Sequence, residues 1–458
     1  MMIKFFFFLF LALGSIFAQT PITVSGEKLE GYEVDGEKMR RVIGDVVITQ
    51  DNIVIKCDSA IHFIKQNNAE LMGNVVITQD TLTIKTPKGF YFGKEKRAYS
   101  NSGVELDDKK VYLIAGEGEY FFDSAKAIFI NNVVLHDKSD TLSSDFLTYY
   151  RYSGIATATG NVNIRDSVNV VMADSLIHYR FDRITYAFNN VQINSFEENL
   201  VITGGYLEDY RDSGFSKILI DPFLIQVDTS GGKQDTLYIR SAIMETFREP
   251  VPKFVAIDSV VILSSEFSSV NTYTIFERDS GIVYISKLRE DDNQPIIWYE
   301  DTQLTGDSIK IVTTETGIEA LFVRNNSLIA SRNINYPVRI DQMSGRDIDL
   351  TFDDGALYST DVSGGVLSYY YSYEDGIPDG LLKSSGARAV IIFADGRADE
   401  VRLYGDPESE YYPENLVRGS ERKYLLPSFR EFFQKPGFEE NFKSFIDKIR
   451  PVSKYYGR

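Results

Sequence analysis

The sequence predicts an all-β fold built by repetition, and three observations carry that reading. Aromatic residues are abundant, 28 Tyr and 31 Phe against a single Trp, and such residues favour strands over helices. Apolar and polar positions alternate with period two, Val75 and Ile77 against Asn74 and Thr78, then Leu82 and Ile84 against Thr83 and Lys85. Half-buried strands have this pattern. The alternating segments also recur: openings at Asp45, Asn74, Gly103, Asn132, Asn161 and Asn190 are each 29 residues apart. A second landmark, an aromatic near the end of each unit, falls at Phe63, Phe92, Phe122, Tyr150, Tyr179 and Tyr210, with spacings of 28 to 31. Two markers in register establish the period.

The elements follow in order. Residues 1–18 open Met-Met-Ile-Lys, continue as an apolar run from Phe5 to Leu13 and end in Ala18, the pattern of a secretory signal peptide cut before Gln19. The run falls short of the roughly 20 residues needed to span a bilayer. Residues 30–220 carry the clear repeats, each of two or three strands separated by polar breaks such as Gln50-Asp51-Asn52 and Gln79-Asp80. Residues 221–405 read as a degenerate continuation, with copies at 259–262, 306–311 and 345–350 and interruptions at 230–233, 290–293 and 374–380. In residues 406–458 the pattern changes. Phe438, Phe442, Phe445, Ile446 and Ile449 stand at helical spacing between Pro436 and Pro451, so a short amphipathic helix is expected, as the cap that a stack of repeats requires.

Composition bounds the function. Of 458 residues, 43% are hydrophobic and 25% charged, a core-forming mixture. Lys and Arg number 48 against 66 Asp and Glu, a net charge of -18, the opposite of a nucleic-acid footprint. Cys57 is the only cysteine, so no intramolecular disulfide can form and stability must come from a continuous core. His62 and His178 hold one repeat position four units apart, too far for a shared site, and with His136 they read as strand-surface residues. Asp58, Glu117, Asp145 and Asp174 share another position and read either as an acidic ladder for divalent cations or as strand entries beside turns. No phosphate loop, nucleophile elbow or catalytic carboxylate pair emerges. Neither an enzyme nor a cofactor is expected.

Alternation places Val46, Ile48, Ile53, Ile55, Val75, Ile77, Leu82, Ile84, Val104, Leu106, Val133, Leu135, Val162 and Ile164 on one inward face. Such a face suits a packed core or an apolar trough equally well. The unit is compatible with a rung of a parallel β-helix, with Asn74, Asn132, Asn161 and Asn190 as an internal ladder, or with strands crossing the long axis of an open β-jellyroll.

A resemblance separates these folds. GDVVITQDNIVIKCDSAIHF from Gly44 and GNVVITQDTLTIKTPKGFYF from Gly73 resemble the OstA-like repeat of the LptA family of periplasmic lipopolysaccharide-transport proteins, which also occurs in the periplasmic part of the translocon LptD. The shared features are the Gly-Asp/Asn-Val-Val-Ile-Thr-Gln opening, the Ile-x-Ile strand after it, and the Asp-Ser-x-Ile-His-aromatic segment at residues 58–63 and 174–179. The resemblance covers residues 30–215, and the chain is far longer than single-domain members. It implies an elongated β-jellyroll whose interior, lined by the fourteen inward residues, receives lipid A acyl chains. It further implies a periplasmic carrier, with the outer membrane as a second location, that bridges inner and outer membranes during outer-membrane biogenesis. The implied partners are lipopolysaccharide, other transport jellyrolls joined by edge-to-edge strand pairing, and further copies of this chain. A structural or glycan-binding β-solenoid without lipid carriage is the competing reading.

Overall fold

The computed structural model describes residues 20–137, 140–228, 235–277, 279–314, 317–394 and 397–452. The signal-peptide expectation at 1–18 and the break at 230–233 lie outside them. The described residues form 32 strands and a few helical turns of three or four residues near the C-terminus and after Tyr210, so the all-β expectation and the short C-terminal helical segment both hold. Strands adjacent in sequence pair antiparallel, Glu37–Gln50 with Ile53–Phe63, that strand with Asn68–Gln79, and that in turn with Leu82–Phe92. The parallel β-helix is thereby overturned.

Local chemistry explains the hairpins. Strands Glu37–Gln50 and Asn68–Gln79 end in Thr-Gln followed by Asp51 (φ 51°) and Asp80 (φ 53°), and Asp tolerates the left-handed region a tight turn demands. The repeat opening is a different device. Gly44-Asp45, Gly73-Asn74, Asn131-Asn132, Gly160-Asn161 and Asn189-Asn190 are pairs with both φ positive. Where the register is resolved, it slips at such a pair, between Ile43 and Val46, Met72 and Val75, Ile130 and Val133, and Phe188 and Val191. Each pair is a bulge that bends its strand. Asn74, Asn132, Asn161 and Asn190 are therefore exposed corner residues, not an internal ladder.

The chain divides into two compact units, at residues 158 and 159. In unit 1 the corners split the strands into two walls. Wall A holds residues 37–43, 59–63, 68–72, 88–92 and 97–100; wall B holds 46–50, 53–57, 75–79, 82–86 and 104–107. The walls face each other, because Tyr91 of wall A donates its hydroxyl to Gln50 Oε1 of wall B at 2.6 Å.

Unit 2 repeats the corner at Asp258-Ser259, Asn325-Asn326 and Gly364-Gly365. Its C-terminal segment crosses the strands of one sheet face. Gln342, Gln303 and Gln192 each accept from a backbone N–H of that segment, of Leu426, Phe433 and Arg450, at 2.8 to 2.9 Å. Each returns its amide to a backbone carbonyl, of Tyr424, Glu431 and Arg450. Between the last two clamps, Phe438, Phe442, Phe445, Ile446 and Ile449 pack on Phe223, Ile225, Tyr238, Val261 and Leu263. The helix expected here is two four-residue pieces, Phe438–Asn441 and Lys443–Ile446, with its apolar stripe turned onto the sheet as the spacing required.

Candidate binding site

The candidate site is the space between the walls of unit 1. Val46, Ile48, Ile53, Ile55, Val75, Ile77, Leu82, Ile84, Val104, Leu106, Val133 and Leu135 are all buried, as is Val162 in unit 2, while Ile164 is half-buried. Alternation thus assigned their orientation. Cross-strand pairing joins several directly, Ile48 with Ile55, Ile55 with Ile77, Ile77 with Ile84 and Ile84 with Leu106. Wall A contributes Ala60, Ala69, Leu71 and Tyr91 from the other side, residues outside the fourteen that alternation marked. A gap of about 20 Å³ remains between the walls, lined among others by Leu71, Ile77, Ile84, Val104, Tyr120 and Phe129. That holds roughly one water molecule, so a larger apolar guest would need the walls to part there.

What keeps them together lies at the strand ends opposite the corners, the mouth. Gln50 is 3% exposed; besides accepting from Tyr91 it donates to Gly93 O at 2.9 Å on wall A and to Thr20 O at 2.6 Å. Ile22 N donates to Asn67 Oδ1 at 2.9 Å, which seats the buried Ile22 across the mouth. Ion pairs bridge the turns. Lys96, in the turn after residues 88–92, lies 2.9 Å from Asp51 of wall B. Arg151, after Thr141–Tyr150, lies 3.6 Å from Asp108 and donates to Thr81 Oγ1 at 2.7 Å. The Lys96 ammonium, through its hydrogen bond, holds the Asp51 carboxyl below its usual range. In unit 2 Arg211 meets Asp166 at 3.1 Å in the same way. Sequence reading missed this set. Its signal was a base just after the aromatic landmark, as in Tyr150-Arg151 and Tyr210-Arg211, and an acid in the wall B turn.

The other singled-out residues have structural roles. Asp58 and Asp174 accept from Asn74 and Asn190 Nδ2 at 3.0 and 2.8 Å, tying each corner to the strand before it. Among the described residues no cluster of three or more His, Cys, Asp or Glu is arranged to hold a metal ion. His136 and His178 contact Thr141 and Thr185 Oγ1. His62 departs from the surface expectation: its strand changes facing at Cys57 to Ser59, where the register slips, so it is 5% exposed and burial lowers its pKa.

No curated protein matches the chain. Residues 22–156 match the family described as OstA-like protein, less than a third of the chain and nearly the whole of the described part of unit 1. Over nearly its whole described length, unit 1 is thus similar to OstA-like proteins.

Proposed function

We propose that this chain is a periplasmic lipopolysaccharide-binding transport protein that shields lipid A acyl chains on the way from the inner to the outer membrane. One observation carries the reading: within an OstA-like segment, every strand crossing contributes apolar side chains to a single interior between two walls that meet at their mouth through a few polar contacts. Burial supplies the binding energy, about 0.8 kcal/mol for each methylene removed from water, and no reaction is required of the side chains. The protein is a carrier, not an enzyme, and needs no cofactor. Export places it in the periplasm, where the outer membrane is its second point of association.

The ends of the strand series suit the partners. Among the described residues Lys28–Val34 pairs only with Glu37–Gln50, and Arg397–Tyr404 only with Ile377–Ala394. Unpaired strand edges accept further strands, from another transport jellyroll or a second copy. The test is native mass spectrometry of the exported chain from a Gram-negative periplasm. A lipopolysaccharide adduct, lost in Val75→Asp or Ile77→Asp, is the expected result. A clean apoprotein that also refuses added lipopolysaccharide overturns the carrier in favour of a structural β-protein.

A further inference from the structure

The mouth contacts form a pattern that neither the apolar interior nor the corners require. Asp51 with Lys96, Asp108 with Arg151 and, in unit 2, Asp166 with Arg211 are separated in sequence by 45, 43 and 45 residues. In unit 1 Lys96 and Arg151 stand on wall A turns and Asp51 and Asp108 on the opposing turns, so both basic groups occupy one rim, where Lys96 also meets Asp123 at 3.2 Å. A protein of net charge -18 thereby keeps a basic edge, neutralised by its own carboxylates.

The acids are built to let go. Asp108 Oδ1 accepts from Lys110 N and Val111 N at 2.9 and 2.8 Å, leaving Oδ2 to face Arg151. Asp166 repeats this with Val168 N and Asn169 N while its Oδ2 faces Arg211. Two backbone amides remain to each of these carboxylates when its cation leaves, which offsets part of the cost for Asp108, whose side chain is 2% exposed. The cations are less free to move apart. The Arg151 side chain is 14% exposed, and stripping a partly buried charge of the carboxylate it faces is costly. Exchanging that counter-ion for another anion removes the cost, and phosphate oxygens suit guanidinium at least as well as carboxylate does.

We propose that Lys96 and Arg151 form a rim site for phosphate groups, and that the phosphates of an acylated ligand displace Asp51 and Asp108, unlatching the walls so that the acyl chains enter between them. The assignment rests on the carrier reading for its acyl component, and the experiment separates the two. Cys57 is the only thiol, it lines the inner face of wall B, and it is 5% exposed, so the rate at which an uncharged maleimide labels it in the intact chain reports opening. Inorganic pyrophosphate should speed labelling several-fold over chloride at equal ionic strength. The preference for pyrophosphate should vanish in a Lys96→Gln, Arg151→Gln variant, whose labelling is fast in either salt. A wild-type rate that follows ionic strength alone overturns the site without any variant.

The second arm uses diphosphorylated and dephosphorylated lipid A. Asp51→Asn with Asp108→Asn should bind the phosphorylated lipid several-fold more tightly, and Lys96→Gln with Arg151→Gln more weakly, while both bind the dephosphorylated lipid at least as well as wild type. Lipid binding with no such divergence sinks the rim site and leaves the carrier standing. A pyrophosphate effect with no lipid binding does the reverse, and assigns the rim to free phosphate compounds.

Discussion

Gly73 and Asn74 illustrate how two residues set the geometry of a repeat. Both hold positive φ, 76° and 46°, and a Cβ on Gly73 would lie 2.2 Å from Asp58 Oδ2, the carboxylate that anchors Asn74. Glycine meets both demands, conformation and space. Gly73→Ala is expected to cost about 1–3 kcal/mol, measured by urea unfolding. Gly31, exposed and with nothing within 4 Å of where a Cβ would stand, is the control, and Gly31→Ala should stay within roughly 0.5 kcal/mol. Equal costs would remove the corner from the explanation. A second residue couples stability to pH. Burial pushes the Asp341 carboxyl up from 3.8 to about 6, against the amide of Tyr371 that it accepts at 2.8 Å. With the folded pKa above the unfolded one, the native state holds this proton more tightly. That contribution is present below about pH 4 and is lost as pH rises through about 6. Asp341→Asn keeps an acceptor for Tyr371 without the charge, so it should stabilise by on the order of 2–3 kcal/mol at pH 7.5 and little at pH 4. A difference between variant and wild type that does not change with pH would refute the assignment.

The C-terminal segment changes how unit 2 reads at the level of its elements. Its strands are covered on both faces. Ile202, Leu224, Ile239, Ile262, Ser269, Ile297 and Leu304 follow one another across the pairing on the face of the Val-x-Ile motif. Phe223, Tyr238, Val261, Trp298 and Gln303 lie on the opposite face, where the segment sits at Phe223, Tyr238, Val261 and Gln303. A strand buried on both sides becomes a continuous apolar run, not an alternation, as in Val260-Val261-Ile262. This explains why the repeat is sharp to about residue 220 and blurred beyond it. The corners persist, but their period stretches: Ser259 follows Asp221 by 38 residues and Gly365 follows Asn326 by 39. The segment is also a measurable source of stability. Phe442 is fully buried against Phe223 and Tyr238, with ring centroids 6.1 and 5.6 Å away, so Phe442→Ala should cost about 3–5 kcal/mol. Gln342→Ala, which strands the buried N–H of Leu426, should cost about 1–3 kcal/mol. Urea denaturation of unit 2 checks both, and variants as stable as wild type would mean that the segment merely rests on the sheet.

For the whole molecule, what the sequence could disclose follows from distance along the chain. Thirteen of the fourteen residues read as inward are buried, Ile164 being half-buried; they were legible because alternation is local, and the hairpins because Asp51 and Asp80 mark their turns. The mouth was not, since Gln50 meets Tyr91 from 41 residues away and Arg151 meets Thr81 from 70. No local pattern declares such a pairing. Yet the architecture that produces these contacts is quasi one-dimensional, each unit resting on its neighbours, and this gives a severe test. Deleting residues 45–73, 29 in all, joins Gly44 to Asn74 and rebuilds the same Gly-Asn corner. Residues 37–43 then take the place of 68–72 against residues 88–92, and 75–79 take the place of 46–50 against Thr23–Ser25. The segment Val-Ile-Thr-Gln-Asp at 76–80 replaces its twin at 47–51 beside Thr23–Ser25, whereas Tyr91 and Lys96, whose position relative to 76–80 is unchanged, lose Gln50 and Asp51. The shortened chain should keep a β-sheet circular dichroism spectrum and melt cooperatively. Deleting residues 45–72 instead leaves one extra residue at the corner and reverses the facing of one half-strand against its neighbours, because strand side chains alternate with period two. That chain should lose its cooperative transition in unit 1. If both deletions fold alike, the 29-residue unit is a pattern in the sequence and not the structural repeat of the protein.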